Sequence, residues 1–202
     1  MNKLATQKLE PLLALVHFRW ALPILAELQH SNGCKFVTLV MHLNLSKDAL
    51  SRTLTALLEQ GLVMRNPGYG HPLRPEYILT AAGQQIGVHV LELTQTLERL
   101  EVTDVALKKW SLPILLVLQD HTRFTDVLEH LPGLTTRALA LSLRNLTQAK
   151  LLEPFTGISG VRNGYRLSLS GKELESKIKT LALTLQTQKT PTRVQTREGI
   201  QS

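Results

Sequence analysis

The chain has 202 residues, of which 43% are hydrophobic but only 4% aromatic, so aliphatic side chains must fill the core, and this composition favours helices. The length permits one large domain or two small ones. A net charge of +7 favours a polyanionic partner, either nucleic acid or an anionic membrane surface. The single cysteine, Cys34, excludes an internal disulfide and a cysteine-cluster metal site, and it is typical of a protein of the reducing cytosol.

The N-terminal residues MNKLATQKLEP contain no apolar segment of signal-peptide length. No stretch of the chain approaches the roughly 18 consecutive apolar residues that a membrane-spanning helix needs. These features predict a soluble protein of the cytoplasm with no membrane partner.

Two short helices are predicted first. The segment WALPILAELQ, residues 20–29, is rich in apolar residues, and Pro23 is tolerated near its start because first-turn N–H groups have no partner within a helix. Residues 36–43 predict a second helix, because their apolar side chains recur at intervals of three and four residues.

A longer helix and a hairpin come next. The segment LSKDALSRTLTALLEQG has an N-cap candidate in Ser46, one apolar stripe, and a terminal glycine in Gly61. The segment LVMRNPGYGHPLRPEYILT predicts two strands joined by a Gly- and Pro-rich tip, which is a β-hairpin. Two helices joined by a tight turn and followed by a hairpin make a winged helix-turn-helix, whose longer helix is the recognition helix.

The same order of elements occurs twice. The segment WSLPILLVLQ repeats the first helix, and the only two tryptophans, Trp20 and Trp110, open its two copies. The segments TTRALALSLRNLTQAK and LLEPFTGISGVRNGYRLSLS supply a second long helix and hairpin at an offset of about 88 to 90 residues. The repeat predicts two domains, copy one over residues 1–100 and copy two over residues 101–186. The remaining residues, 187–202, are polar and aperiodic, and we expect a disordered tail there.

A further helix follows each hairpin, with apolar residues at alternating steps of four and three, which is heptad spacing. These residues are Ile86, Val90, Leu93, Leu97 and Leu100 in copy one, and Leu174, Ile178, Leu181 and Leu185 in copy two. Two interpretations are open: each helix packs on its own domain, or the two helices pair and hold the copies together as an intramolecular pseudo-dimer.

The predicted fold class is therefore mainly α with small β-hairpin wings, arranged as tandem duplicated winged helix-turn-helix domains that form such a pseudo-dimer. In that arrangement one chain presents both recognition helices, spaced for half-sites about one DNA turn, roughly 34 Å, apart.

The chain resembles a known family in four marks. These are a W-x-L-x-I-L-x-x-L helix, a basic residue plus phenylalanine opening the next helix, the pattern LS…L…L…L…GL through the recognition helix, and Y-x-L-T…G closing the wing. With them, residues 7–186 resemble the HxlR-type winged helix-turn-helix regulators of bacteria and archaea, in the MarR superfamily. Members are ordinarily single-domain homodimers joined through terminal helices on two-fold operator DNA. The resemblance implies a family dimer fused into one polypeptide that binds double-stranded DNA.

The chain departs from the family at its cysteine. Many members carry a cysteine about thirteen residues before the tryptophan, used in some for sensing, but Gln7 and Leu97 stand there in the two copies. Cys34 lies elsewhere, in the predicted loop before the second helix, and copy two has no counterpart. We interpret it as an ordinary loop cysteine.

The candidate DNA contacts are outward-facing residues of the recognition helices, the starts of the helices before them, and the wings. Arg52 is the candidate for reading guanine, Lys35 for a phosphate, and Arg74 for a narrow minor groove. The full set is Lys35, Ser46, Lys47, Ser51, Arg52, Thr55 and Arg74 in copy one, and Arg123, Thr135, Thr136, Arg137, Arg144, Arg162 and Arg166 in copy two.

The two recognition helices are not equivalent. Copy two has Ala140 and Leu141 where copy one has Ser51 and Arg52. An outward leucine would touch a thymine methyl group, pack on a partner, or be tucked into the domain. We therefore expect copy one to read bases and copy two mainly to anchor on phosphates.

No enzyme is predicted, and no cofactor or metal. The histidines His42 and His130 repeat at helix ends, but no carboxylate or cysteine lies at ligand spacing in the sequence. The favoured function is a transcriptional regulator on nucleoid DNA. The rivals are an architectural protein that bridges or compacts duplexes and a protein–protein interaction module, and a further homodimer through the terminal helices is open.

Overall fold

The computed structural model of the protein describes residues 3–66, 76–118, 122–155 and 164–188. Copy one contains α1 (Lys3–Val16), α2 (Ala21–Ser31), β1 (Cys34–Lys35), α3 (Phe36–His42), α4 (Lys47–Glu59), β2 (Val63–Arg65), β3 (Glu76–Leu79) and α5 (Ala81–Arg99). Copy two contains α6 (Thr103–Ala106), α7 (Ser111–Val117), β4 (Thr122–Arg123), α8 (Phe124–His130), α9 (Thr136–Gln148), β5 (Leu152–Phe155), β6 (Gly164–Leu167) and α10 (Leu169–Gln188).

The predicted fold class is confirmed: both copies are mainly helical, with small antiparallel sheets. The recognition helices are α4 and α9. The Ser46 hydroxyl caps α4 by accepting a hydrogen bond from the Ala49 N–H at 3.2 Å, as the sequence indicates. Thr135 caps α9 in the same way. Gly61 follows α4 with a φ of 68°, a conformation that glycine adopts without steric cost.

Each wing carries a third, very short strand that the sequence did not reveal. The strand orders are β1-β3-β2 and β4-β6-β5, with every neighbouring pair antiparallel. Cys34 lies in β1 opposite Tyr77, so its assignment to a loop was wrong. A strand of two residues is too short to leave an alternating pattern, and it forms because the second wing strand offers it hydrogen bonds.

The ends of the chain also differ from the expectation. Helix α1, which includes Pro11, had not been assigned from the sequence. Helix α10 continues to Gln188, so residues 187–188 are helical and do not belong to a disordered tail. The Gln188 side chain donates a hydrogen bond to Gln85 of α5, which anchors this last turn. The rest of the predicted tail, residues 189–202, lies outside the described residues.

The apolar stripes of α5 and α10 are buried in one core that runs through both copies. Ile86, Val90, Leu93 and Leu97 are fully buried, as are Leu174, Ile178 and Leu181. Helix α5 packs on α2 of its own copy and on α10, and α10 packs on α7 of its own copy, on α5 and on α1. Each stripe therefore packs both on its own copy and on the other long helix, and these contacts are consistent with a pseudo-dimer.

Helices α5 and α10 run antiparallel, as three polar pairs along their edges show. Arg99 pairs with Glu173, Glu92 lies 3.9 Å from Lys177, and Gln85 accepts from Gln188. As the residue number rises in α5, that of its partner in α10 falls. A further ion pair, between Arg19 and Asp104 at 2.7 Å, joins the copies outside these helices.

A repeated hydrogen-bonded clip ties each recognition helix to the long helix that follows the wing. In copy one the Thr80 hydroxyl donates to the Gly61 carbonyl at 2.6 Å and accepts from the Gly83 N–H at 3.0 Å. In copy two Ser168 does the same with Lys150 and Gly171. The clip fixes the end of each recognition helix against the start of α5 or α10.

Within the described ranges, no single helix is long and apolar enough to span a membrane. The bent helix pair Leu9–Val16 and Ala21–Ser31 meets such a criterion by length and composition only, and its apolar side chains lie in the core.

The clip predicts that Gly171→Ala destabilises the protein. An added Cβ would lie 2.1 Å from the Leu151 carbonyl oxygen, and this neighbour is backbone and cannot easily move. We expect a loss of about 3 kcal/mol in the free energy of unfolding, measured by urea denaturation. The control is Gly133→Ala, which meets nothing within 4 Å and bears only the cost of a φ of 82°, about 1 kcal/mol. Helix propensity alone predicts that Gly171→Ala stabilises the protein. Such a result would contradict the close backbone approach in the clip.

Candidate nucleic-acid interface

The recognition helix of copy one separates an apolar from a polar face, as predicted. Leu50, Leu54 and Leu57 are buried. The exposed residues are Ser46, Lys47, Asp48, Ser51, Arg52, Thr55 and, at the C-terminal end, Glu59. Because the Ser46 oxygen already accepts the capping hydrogen bond, this side chain has its O–H left to donate to a phosphate. The exposed face of α4 therefore offers hydroxyls, two carboxylates and two cations.

Arg52 lies at the edge of that face. Its Nε donates a long hydrogen bond of 3.4 Å to the Asp48 carbonyl, one turn back along the helix. The side chain also lines a small cleft, together with residues 17–20 between α1 and α2. A bond of this length on an exposed side chain is weak. Breaking it therefore costs little free energy when the guanidinium moves toward a base.

The recognition helix of copy two has the same architecture but a different outward face. Leu139, Leu143 and Leu146 are buried. The exposed residues are Thr135, Thr136, Arg137, Ala140, Leu141, Arg144 and, at the C-terminal end, Gln148. Leu141 is 58% exposed, which excludes the interpretation that it is tucked into the domain. Neither Arg137 nor Arg144 forms an ion pair with a carboxylate of the described residues.

The predicted contacts at the starts of α3 and α8 lie at matching places. Lys35 is the exposed last residue of β1, directly before α3. Arg123 is the last residue of β4, directly before α8, and its backbone pairs with Gly164. Both residues therefore stand at a helix start, where the sequence predicts phosphate contacts.

The wings are described only at their bases. Arg74 and Arg162 lie outside the described residues, so the structure does not locate them. Arg166 is exposed on β6, but its guanidinium pairs with Glu153 of β5 at 2.9 Å, so a phosphate would have to compete with this carboxylate. Arg65, which sequence reasoning missed, is exposed at the end of β2. Its position at the end of the first wing strand, next to the wing tip, is the sequence feature that would have made it a candidate DNA contact.

The two repeated histidines form hydrogen bonds within their own copies. His42 Nδ1 lies 2.7 Å from a carboxylate oxygen of Glu27 on α2, a contact that sequence spacing could not show. His130 Nδ1 lies 2.6 Å from the Asp126 carbonyl. Among the described residues, no group of three or more His, Cys, Asp or Glu side chains could hold a metal ion.

Helix, turn, recognition helix and wing define each copy as a winged helix-turn-helix unit. The family model described as HxlR-like helix-turn-helix matches the chain twice, over residues 15–103 and 105–192. The chain belongs to this family of DNA-binding transcription regulators, as the sequence marks predicted, and it carries two copies of the family domain in tandem. The family is one of regulators and not of enzymes. No curated protein matches this chain.

The environment of Cys34 predicts a poorly reactive thiol. The side chain is only 5% exposed, and burial, with the nearby Glu27 carboxylate as a second cause, raises the pKa of the Cys34 thiol above its ordinary value. At neutral pH the thiolate fraction is then lower than in a free cysteine. We expect slow labelling of the native chain by an aromatic disulfide reagent and fast labelling in denaturant. Complete labelling of the native chain at the denatured rate would contradict this prediction.

Proposed function

We propose that this protein is a transcription regulator that binds double-stranded DNA with both recognition helices and both wings of a single chain. The observation that carries the proposal is the pair of capped recognition helices with exposed cations on their outward faces, on copies joined through α5 and α10. The proposed domains are residues 1–100 and 101–186, each with one recognition helix. The proposed location is the nucleoid, in the cytoplasm.

A two-fold relation between the copies is supported by the contacts at the two ends of the α5–α10 pair. Arg99 pairs with Glu173 at one end, and Gln188 pairs with Gln85 at the other. At the repeat offset of 88 residues in these helices, Glu173 is the equivalent of Gln85, and Thr187, the neighbour of Gln188, is the equivalent of Arg99. Exchange of the copies therefore takes the Arg99–Glu173 pair to within one residue of the Gln85–Gln188 pair, which supports an isologous interface.

The clip extends this relation to the DNA-binding elements. Because each recognition helix is tied to the start of α5 or α10, the packing of these helices sets the separation of α4 and α9. The proposal is that they meet half-sites about one turn, roughly 34 Å, apart on one face of the duplex.

The two copies have unequal roles in this proposal. Copy one carries Lys47, Ser51 and Arg52 outward and donates hydrogen bonds to bases. Copy two carries Arg137 and Arg144 outward on its recognition helix and contacts mainly phosphates. The preferred site is then an imperfect palindrome with one half better defined than the other.

The proposal predicts sequence-selective and strongly salt-dependent binding. Since cations from both copies contact phosphates, log Kd plotted against log salt should have a slope of several units. With competitor DNA present, a regulator should keep a preference of at least roughly 10³ for its selected site. The measurement is fluorescence anisotropy on a duplex enriched from a random library by the full chain. A salt-dependent affinity with no such preference would indicate an architectural protein. The absence of duplex binding at low salt would indicate a protein–protein interaction module.

Substitutions should separate reading from anchoring. Arg52→Ala is expected to lose about 1–3 kcal/mol on the preferred site and to relax its sequence preference. Arg144→Ala is expected to weaken binding about equally on every sequence and to reduce the salt slope by roughly one unit. The matched control is Lys179→Ala, which removes one exposed cation from α10. Equal loss of specificity from Arg52→Ala and Leu141→Ala, or a perfectly symmetric site, would refute this division.

A further inference from the structure

An apolar patch with cations on both sides lies on the outward face of α9. Ala140 and Leu141 are both exposed, and Leu141 is 58% exposed. Arg137 and Arg144 lie one turn before and one turn after them, at the three- and four-residue spacings that make neighbours on a helix surface. Among the exposed large apolar side chains of the described residues, Leu141 alone lies on a recognition helix.

The corresponding face of copy one has a different chemistry. There the same four positions hold Asp48, Ser51, Arg52 and Thr55, whose side chains are all able to form hydrogen bonds. In copy two the outer positions are both arginine and the inner positions have no hydrogen-bonding side chain. The patch can therefore distinguish base pairs only by shape and apolar contact.

The major groove of DNA presents one apolar group that fits such a patch. A thymine carries a C5-methyl group on the groove floor, and alanine and other apolar side chains contact it. Rows of phosphates border the groove on both sides, where Arg137 and Arg144 would meet them. A convex helix with an apolar centre and flanking cations is thus complementary to a thymine-containing groove in both shape and charge.

We propose that copy two reads the C5-methyl group of a thymine through Leu141, with Ala140 beside it and Arg137 and Arg144 on the flanking phosphates. This inference rests on the proposed function, because it assumes that α9 enters the major groove. It gives copy two a weak sequence preference in addition to its anchoring role. Burial of one methyl group changes the affinity about fourfold, less than a paired arginine and guanine contribute.

The test removes the methyl group and the leucine separately and together. On the duplex enriched by the full chain, each thymine is replaced in turn by uracil, which lacks only the methyl group, and Kd is measured by anisotropy. We expect a loss of about fourfold at one or two positions in one half-site. For Leu141→Ala the same replacements should have no effect, so the two losses are not additive.

A second arm identifies the methyl group as the feature that is read. At the sensitive position, 5-methylcytosine should bind about four times more tightly than cytosine in the parent chain, and equally in Leu141→Ala. Leu141→Arg, which installs the residue of copy one, should tighten binding to every duplex and remove the uracil effect. The matched control is Leu183→Ala, since Leu183 is 55% exposed on α10, and its uracil response should equal that of the parent.

The outcomes separate the two proposals. If no uracil replacement weakens binding, or if the parent and Leu141→Ala respond equally, the reading role of Leu141 is overturned while the DNA-binding function stands. If the full chain binds no duplex at low salt, the proposed function fails and this inference fails with it. A partner protein that binds the parent chain and not Leu141→Ala, without any effect of uracil, would assign the patch to protein recognition instead.

Discussion

The antiparallel packing of α5 against α10 is the contact on which the rest of the molecule depends. Helix α5 also packs on α2 and α10 on α7, each within its own copy, so their buried stripes belong both to the domain cores and to the junction between the copies. Apolar burial stabilises this arrangement but has no direction of its own. Polar pairs at the edges, such as Arg99 with Glu173, select the register of the two helices.

The clip connects the core to the recognition helices, which are the proposed DNA-binding elements. Thr80 and Ser168 each donate to a carbonyl two residues beyond the end of a recognition helix, and each caps the next helix. Gly83 and Gly171 permit the close backbone approach, since a Cβ at either would overlap a carbonyl oxygen. A shift of α5 against α10 would therefore change the separation of the recognition helices, and this coupling makes the junction part of the binding geometry.

Fusion of two copies in one chain permits the outward faces to differ while the inward faces stay alike. Leu50 and Leu139 occupy equivalent buried positions, and loss of such a side chain costs about 2–5 kcal/mol. At the exposed positions, a difference such as arginine at 52 and leucine at the equivalent position 141 changes the free energy of unfolding by no more than about 0.5 kcal/mol. In a homodimer every change would appear in both halves of the site, whereas here each half is free to specialise.

The sequence by itself determined the duplication, the helix-turn-helix and wing of each copy, the caps at Ser46 and Gly61, and the family, because these features leave local or repeated patterns. Only the tertiary structure decided what is built from contacts between distant segments. Strand β1 exists because β3 offers it partners, Glu27 meets His42 from another helix, and Arg166 is paired with Glu153 across two strands. The stripes of α5 and α10 predicted burial, but heptad spacing is the same for either partner. That each helix packs on both partners depends on the three-dimensional arrangement of α2, α5, α7 and α10.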